Sequence, residues 1–87
     1  MELFYLFVIE LSMRLVELKA NQSCLIEEIL LKDEKLKLRL QELGMYKGSR
    51  VEILFLSPLK QTMLVKIFNS AFALKSNIAS QILVSII

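Results

Sequence analysis

Histidine and tryptophan are absent from these 87 residues; cysteine occurs once, at Cys24, proline once, at Pro58, and glycine twice, at Gly44 and Gly48. Without histidine, neither a Ser/His/Asp nor a Cys/His nucleophilic arrangement can be assembled, and one cysteine cannot make a Cys-pair zinc site. A single cysteine also forbids a disulfide within the chain, which fits a reducing cytoplasm. One domain of this length supports a modest core and no cleft between two lobes. The inventory therefore points away from an enzyme, and no cofactor and no metal is expected.

Long apolar runs are missing too. The two greasiest stretches, LFYLFVI at residues 3–9 and ILVSII at 82–87, fall well short of the about 20 residues that span a bilayer. The first is flanked by Glu2 and Glu10 and has no basic residue before it, unlike a secretory signal. The chain is expected not to span a membrane. Residues 1–12 are read as an N-terminal extension with three open readings: an extra element covering the fold, a segment for self-association or partner docking, or the product of a start upstream of Met13. The eleven basic residues are scattered among nine acidic ones for a net charge of +2, with no dense basic stripe, so nucleic acid is not an expected partner.

What is present reads as short strands with one helix. After RLVEL at 14–18 and the polar turn KANQS, the stretch 23–30 alternates as a strand, with Cys24, Ile26 and Glu28 on one side and Leu25, Glu27 and Ile29 on the other. In KDEKLKLRLQELG, Leu36, Leu40 and Leu43 keep helical spacing, and no β-branched residue lies between Lys32 and Gly44, so propensity favours a helix. Asp33 is its candidate N-cap and Gly44 the residue that ends it. Leu38 lies about 200° around the helix from Leu36, off the core stripe.

Gly48, in the turn Tyr46-Lys47-Gly48-Ser49, launches the strand SRVEILFL at 49–56, with Val51, Ile53 and Phe55 on one face. Ser57-Pro58 ends it. TMLVKIF follows with Met63, Val65 and Ile67 on one face, then a tight connection at Asn69-Ser70 to AFALK. SNIAS makes a short turn or a single helical turn, and QILVSII closes the chain with Ile82, Val84 and Ile86 opposed to Leu83 and Ser85. The fold class this implies is mainly β with one inserted α-helix: a small barrel of about five strands that closes its own edges.

The order of these pieces resembles the FeoA-like domains. The likeness is carried by Leu15 and Leu18 of RLVEL, by CLIEEI, RLQELGMYKGSRVEIL and Ser57-Pro58-Leu59, and by AFALKSNIASQILV, and it extends over residues 13–87 as one domain. The sequence departs from the family at Asn21, where a glycine is common, at Lys60-Gln61, which lacks the usual Gly or Asp, and at Lys75, which replaces a frequent Arg. The resemblance implies an SH3-like β-barrel and a small cytoplasmic accessory protein of bacterial ferrous iron transport. Such a protein acts by contact with the cytosolic part of an FeoB-type membrane GTPase permease. The family alternative is a stand-alone regulatory module related to the C-terminal domain of iron- and manganese-dependent repressors, which normally follows a helix-turn-helix in a longer chain.

For a partner surface the sequence nominates the helix end and the turn after it: Leu38, Arg39, Glu42, Met45 and Tyr46, with Pro58 and Leu59 as a neighbouring rim. The competing reading is that Met45 and Tyr46 cap the core and that Arg39 pairs with Glu42 along the helix. Glu17, Glu27, Glu28 and Asp33 are expected to be solvated carboxylates, because neighbours on a strand point to opposite faces. Cys24 is expected to be a small buried filler.

Overall fold

The computed structural model describes residues 13–87. The readings made of residues 1–12 lie outside the described residues. The chain begins with β1 (Met13–Arg14) and a 3-10 turn (Leu15–Glu17), then β2 (Ser23–Ile29) and helix α1 (Glu34–Glu42). The meander β3 (Arg50–Leu56), β4 (Thr62–Ile67) and β5 (Ser70–Lys75) follows, and one helical turn, α2 (Ser76–Ala79), leads into β6 (Ile82–Ile86). All pairings are antiparallel, in the order β1-β6-β2-β3-β4-β5.

The sheet is mainly β as expected, with six strands in place of about five, and it does not close. The edges β1 and β5 share no ladder. β1 ends at Arg14 because Leu15 turns into the 3-10 turn, whose entry is fixed by the Arg14 backbone N–H donating to Glu17 Oε1 at 2.9 Å. The space between the edges is bridged at one end by α2, which packs on both β5 and the 3-10 turn, and by Arg14 Nη1 donating to the Ser80 carbonyl at 2.7 Å. Side chains and a helical turn thus take the place of strand pairing there.

The inner face carries the core: Leu15, Leu18, Cys24, Ile26, Val51, Ile53, Met63, Val65, Ile67, Ile82 and Val84 are buried, joined by Leu40 from the helix and Met45 beyond it. Two β-bulges change which residues reach it. In β2 the register shifts between Ile26 and Glu28, so Ile29 turns inward and Glu28 outward, the reverse of simple alternation. In β3 the shift lies between Ile53 and Phe55, so Phe55, expected beside Val51 and Ile53, is exposed while Leu56 packs against the core. Ile86, expected to continue the face of Ile82 and Val84, is also exposed.

The helix is bounded as its sequence indicates. Asp33 Oδ1 accepts from the backbone N–H groups of Lys35 at 3.1 Å and Leu36 at 3.2 Å. At the other end Gly44 N–H donates to Gln41 O at 3.0 Å and Met45 N–H to Leu40 O at 2.9 Å, with Gly44 at φ +100°. Those two bonds, with Met45 packed beside Leu40 in the core, form a Schellman termination. Two of the departures from the family pattern sit at left-handed positions, Asn21 at φ +72° and Lys60 at φ +56°. Asn is the more tolerant of that conformation because its short polar side chain can bond locally.

Candidate functional site

The segment from Leu43 to Ser49 is short and heavily tied down. Ser49, the buried polar residue of the described chain, donates its Oγ hydrogen to the Gly44 carbonyl at 2.6 Å and accepts from Tyr46 N–H at 3.2 Å. Gly48 N–H donates to Ile26 O at 2.8 Å, and Ile26 N–H to Ser49 O at 2.9 Å, so the turn is stitched onto β2. A side chain held on such a turn has a fixed direction without being part of the sheet. The residue so presented is Tyr46, which is 47% exposed although its neighbour Met45 is fully buried.

The placement of the nominated residues follows from this. Tyr46 stands at the turn, over a shallow groove of about 210 Å³ that it shares with Lys37 and Gln41 of α1, Glu27 and Glu28 of β2, and Lys47. Leu38 is 56% exposed and lies on the side of α1 turned away from the buried Leu40; Arg39 and Glu42 are exposed on the same helix. Met45 must be withdrawn from the surface: the Schellman bond to Leu40 turns it into the core, as the capping reading has it. Pro58 and Leu59 are exposed but do not form a rim to this surface. They occupy the turn before β4, whereas the end of α1 packs against Ile67 and Phe68 at the other end of that strand. β4 has six residues, which separates the two places by about 17 Å at strand rise.

Three residues that the sequence did not nominate bear on this surface, two of them exposed and one beneath it. Phe68 is 68% exposed, and its ring lies beside Gly44; a Cβ built on that glycine would meet Phe68 Cδ2 at 3.1 Å. The β4–β5 connection runs through Phe68 and Asn69, one residue earlier than expected, since Ile67 pairs with Ser70. Phe68 takes φ +54°, a conformation a bulky side chain rarely adopts. Leu43, read as part of the core stripe, is the helix C-cap and is 41% exposed. Ser49 is the third, acting from beneath. The available signal was the helix-ending glycine itself, since a glycine next to a bulky residue often marks a close approach.

Phe68 also borders a second shallow groove, of about 340 Å³, with Arg50, Glu52 and Lys66. Glu52 and Lys66 are directly opposed across β3 and β4, an opposite-charge cross-strand pair. Exposed leucine and aromatic side chains (Leu38, Leu43, Tyr46, Phe68) thus lie on α1 and the turns beside its end, with one groove of mixed charge at Tyr46 and another at Phe68. Large amphipathic side chains with charged surroundings can bind a protein.

Among the described residues no group of three or more His, Cys, Asp or Glu side chains could hold a metal ion. Cys24 is buried and free, and burial pushes its thiol up to about 11. Glu27 Oε1 instead accepts from Ser85 Oγ at 2.9 Å. No helix among the described residues is long and apolar enough to cross a membrane.

Comparison with known proteins gives a consistent picture. The FeoA domain model matches residues 13–86. The FeoA protein from Chlorobium tepidum is 27% identical with a TM-score of 0.80, over 86% of this chain and 70% of that one. FeoA of Stenotrophomonas maltophilia, solved with zinc and described as a prokaryotic SH3 domain protein, is 30% identical with a TM-score of 0.72, over 84% of this chain and 89% of that one. A manganese-dependent transcriptional repressor shares the fold at 18% identity and a TM-score of 0.78, with this chain covering 42% of its length. A search of the curated proteins gives no match.

Proposed function

The chain belongs to the FeoA domain family, and from that premise we propose that it is an accessory protein of ferrous iron transport that works by docking on the cytosolic part of an FeoB-type permease. The observation that carries the reading is the family match across the whole described domain. The Stenotrophomonas relative, for which a role as a ferrous iron transport activating factor has been suggested, supports the transport role.

The docking surface is the end of α1 with the turns beside it. Tyr46, Leu38, Leu43 and Phe68 supply exposed apolar area, with Arg39 and Glu42 as polar neighbours. Aromatic side chains contribute much of the energy of such interfaces because they bury large areas with few rotors. Cytoplasmic location is part of the same proposal.

Binding of the purified protein to a detergent-solubilised FeoB-type permease, followed by biolayer interferometry, tests both statements. Tyr46→Glu should weaken binding by about tenfold or more while the circular dichroism spectrum is unchanged, as for a truncated hot spot. Equal binding by the folded variant removes the helix-end surface. Absence of binding by the unaltered protein removes the permease as partner.

A further inference from the structure

The motif Ser57-Pro58-Leu59 and the exposed Phe55 have no part in the helix-end surface. Register places Phe55, Leu64 and Ala73 in one row across β3, β4 and β5. That row is on the outer face of the meander, because the alternating residues Met63, Val65 and Leu74 are buried within. The rows on either side of it carry cations: Lys66, between Glu52 and Ala71, and Lys75, opposite Thr62. At the end of the meander the β3–β4 turn adds Lys60 and Leu59, which is 78% exposed among the described residues. The turn is held in shape. Lys60 N–H donates to the Ser57 carbonyl at 2.8 Å, and Ser57 Oγ accepts from the backbone N–H groups of Gln61 at 3.0 Å and Thr62 at 3.1 Å.

The charge of this region is one-sided. No acidic side chain follows Glu52 in the sequence, so residues 53–87 carry Lys60, Lys66 and Lys75 with no Asp or Glu among them. Arg50 shares the outer face with Glu52, which leaves four cations (Arg50, Lys60, Lys66, Lys75) against one anion. Beside the turn, Glu17 and Lys19 border a recess with Lys60; they are one of each sign, so the excess stands. The other described carboxylates come from β2, α1 and the helix cap.

We infer that the outer face of the β3–β5 meander and the β3–β4 turn lie against an anionic lipid bilayer, with Leu59 and Phe55 entering the headgroup region and Lys60, Lys66 and Lys75 on the lipid phosphates. Charge selects this occupant. A second copy of the same face would bring cations onto cations, whereas an anionic surface complements them. Shape favours a bilayer over an acidic protein. Phe55 and Leu59 line neither of the recesses that border the face, so there is no pocket at them in which a protein's anchor could seat. Protruding apolar side chains set among lysines are what a bilayer interface takes. Each lysine near such a surface strengthens partitioning about fivefold. Leu59 and the helix end stand at opposite ends of β4, so the contact leaves the permease surface free and does not rest on that reading.

The test is flotation of the full chain with vesicles of phosphatidylcholine alone and of equal parts phosphatidylcholine and phosphatidylglycerol. The chain should bind the anionic vesicles in preference to the neutral ones and leave them as salt rises. Leu59→Glu, at an exposed turn position, should keep the circular dichroism spectrum and weaken that binding by about tenfold or more. Lys60→Gln combined with Lys75→Gln should weaken it by about tenfold or more as well, two lysines at about fivefold each. Failure to bind the anionic vesicles overturns the inference, and so does equal binding to the neutral ones. Binding that survives both variants also overturns it, by assigning the contact to another part of the chain. Binding of soluble polyglutamate with no binding of vesicles would give the face to an acidic protein and sink the lipid assignment.

Discussion

At Gly44 a methyl group would face Ile67 Cγ2 and the Phe68 ring, both at 3.1 Å, on a backbone already at φ +100°; at Gly48, with φ +91°, nothing lies within 4 Å. The two glycines therefore differ in kind. Gly48→Ala should cost about 1 kcal/mol, the conformational term alone, and Gly44→Ala about 2 kcal/mol or more, because crowding adds to it. Denaturant midpoints of the two variants measure the difference. Cys24 gives a second prediction at this scale. Its thiol is raised by burial from 9.0 to about 11, so the neutral form is favoured by the fold. The stability this contributes is fully present below pH 9.0 and is lost as pH rises through about 11. The stability difference between the unaltered chain and Cys24→Ala should shrink across that window, and at pH 8 a thiol reagent should label Cys24 only after unfolding.

Among elements, the helix and the β4–β5 turn show how local rules succeed and fail. The helix was legible because its signals are local: a carboxylate at Asp33, residues without β-branching through Glu42, and a glycine at Gly44. The faces of β2 and β3 were half legible. A β-bulge is an agreement between two strands distant in sequence, and neither strand alone records that Ile29 turns in or that Phe55 turns out. Phe68 is the harder case. Nothing in IFNSA marks a phenylalanine for a left-handed position, and the turn chemistry of Asn69 suggested a connection one residue later. Holding an exposed aromatic at φ +54° costs stability unless its ring serves a contact, and such strain gathers at functional sites. Phe68→Gly should leave thermal stability unchanged or raise it by about 1 kcal/mol, and should weaken binding to the permease. A clear loss of stability would assign the ring to packing over Gly44 instead.

For the molecule as a whole, the consequence of an open sheet is that it has edges to place. A closed barrel would have used every backbone group of β1 and β5. Here α2 and the Arg14 contact to Ser80 bridge one end, and among the described strands β5 pairs with β4 alone. The sequence by itself determined the element types, their order, and the long helix α1 with its two ends. Each of those depends on residue inventory or on neighbours within a few positions. Tertiary structure alone decided that Met45 is core while Tyr46 is surface, and that Pro58 and Leu59 lie a strand's length from the helix end. It also decided that Phe68 stands beside Gly44 and that the sheet stays open. Those outcomes depend on the register between segments far apart in the chain, and register is set by the packing of all the faces together.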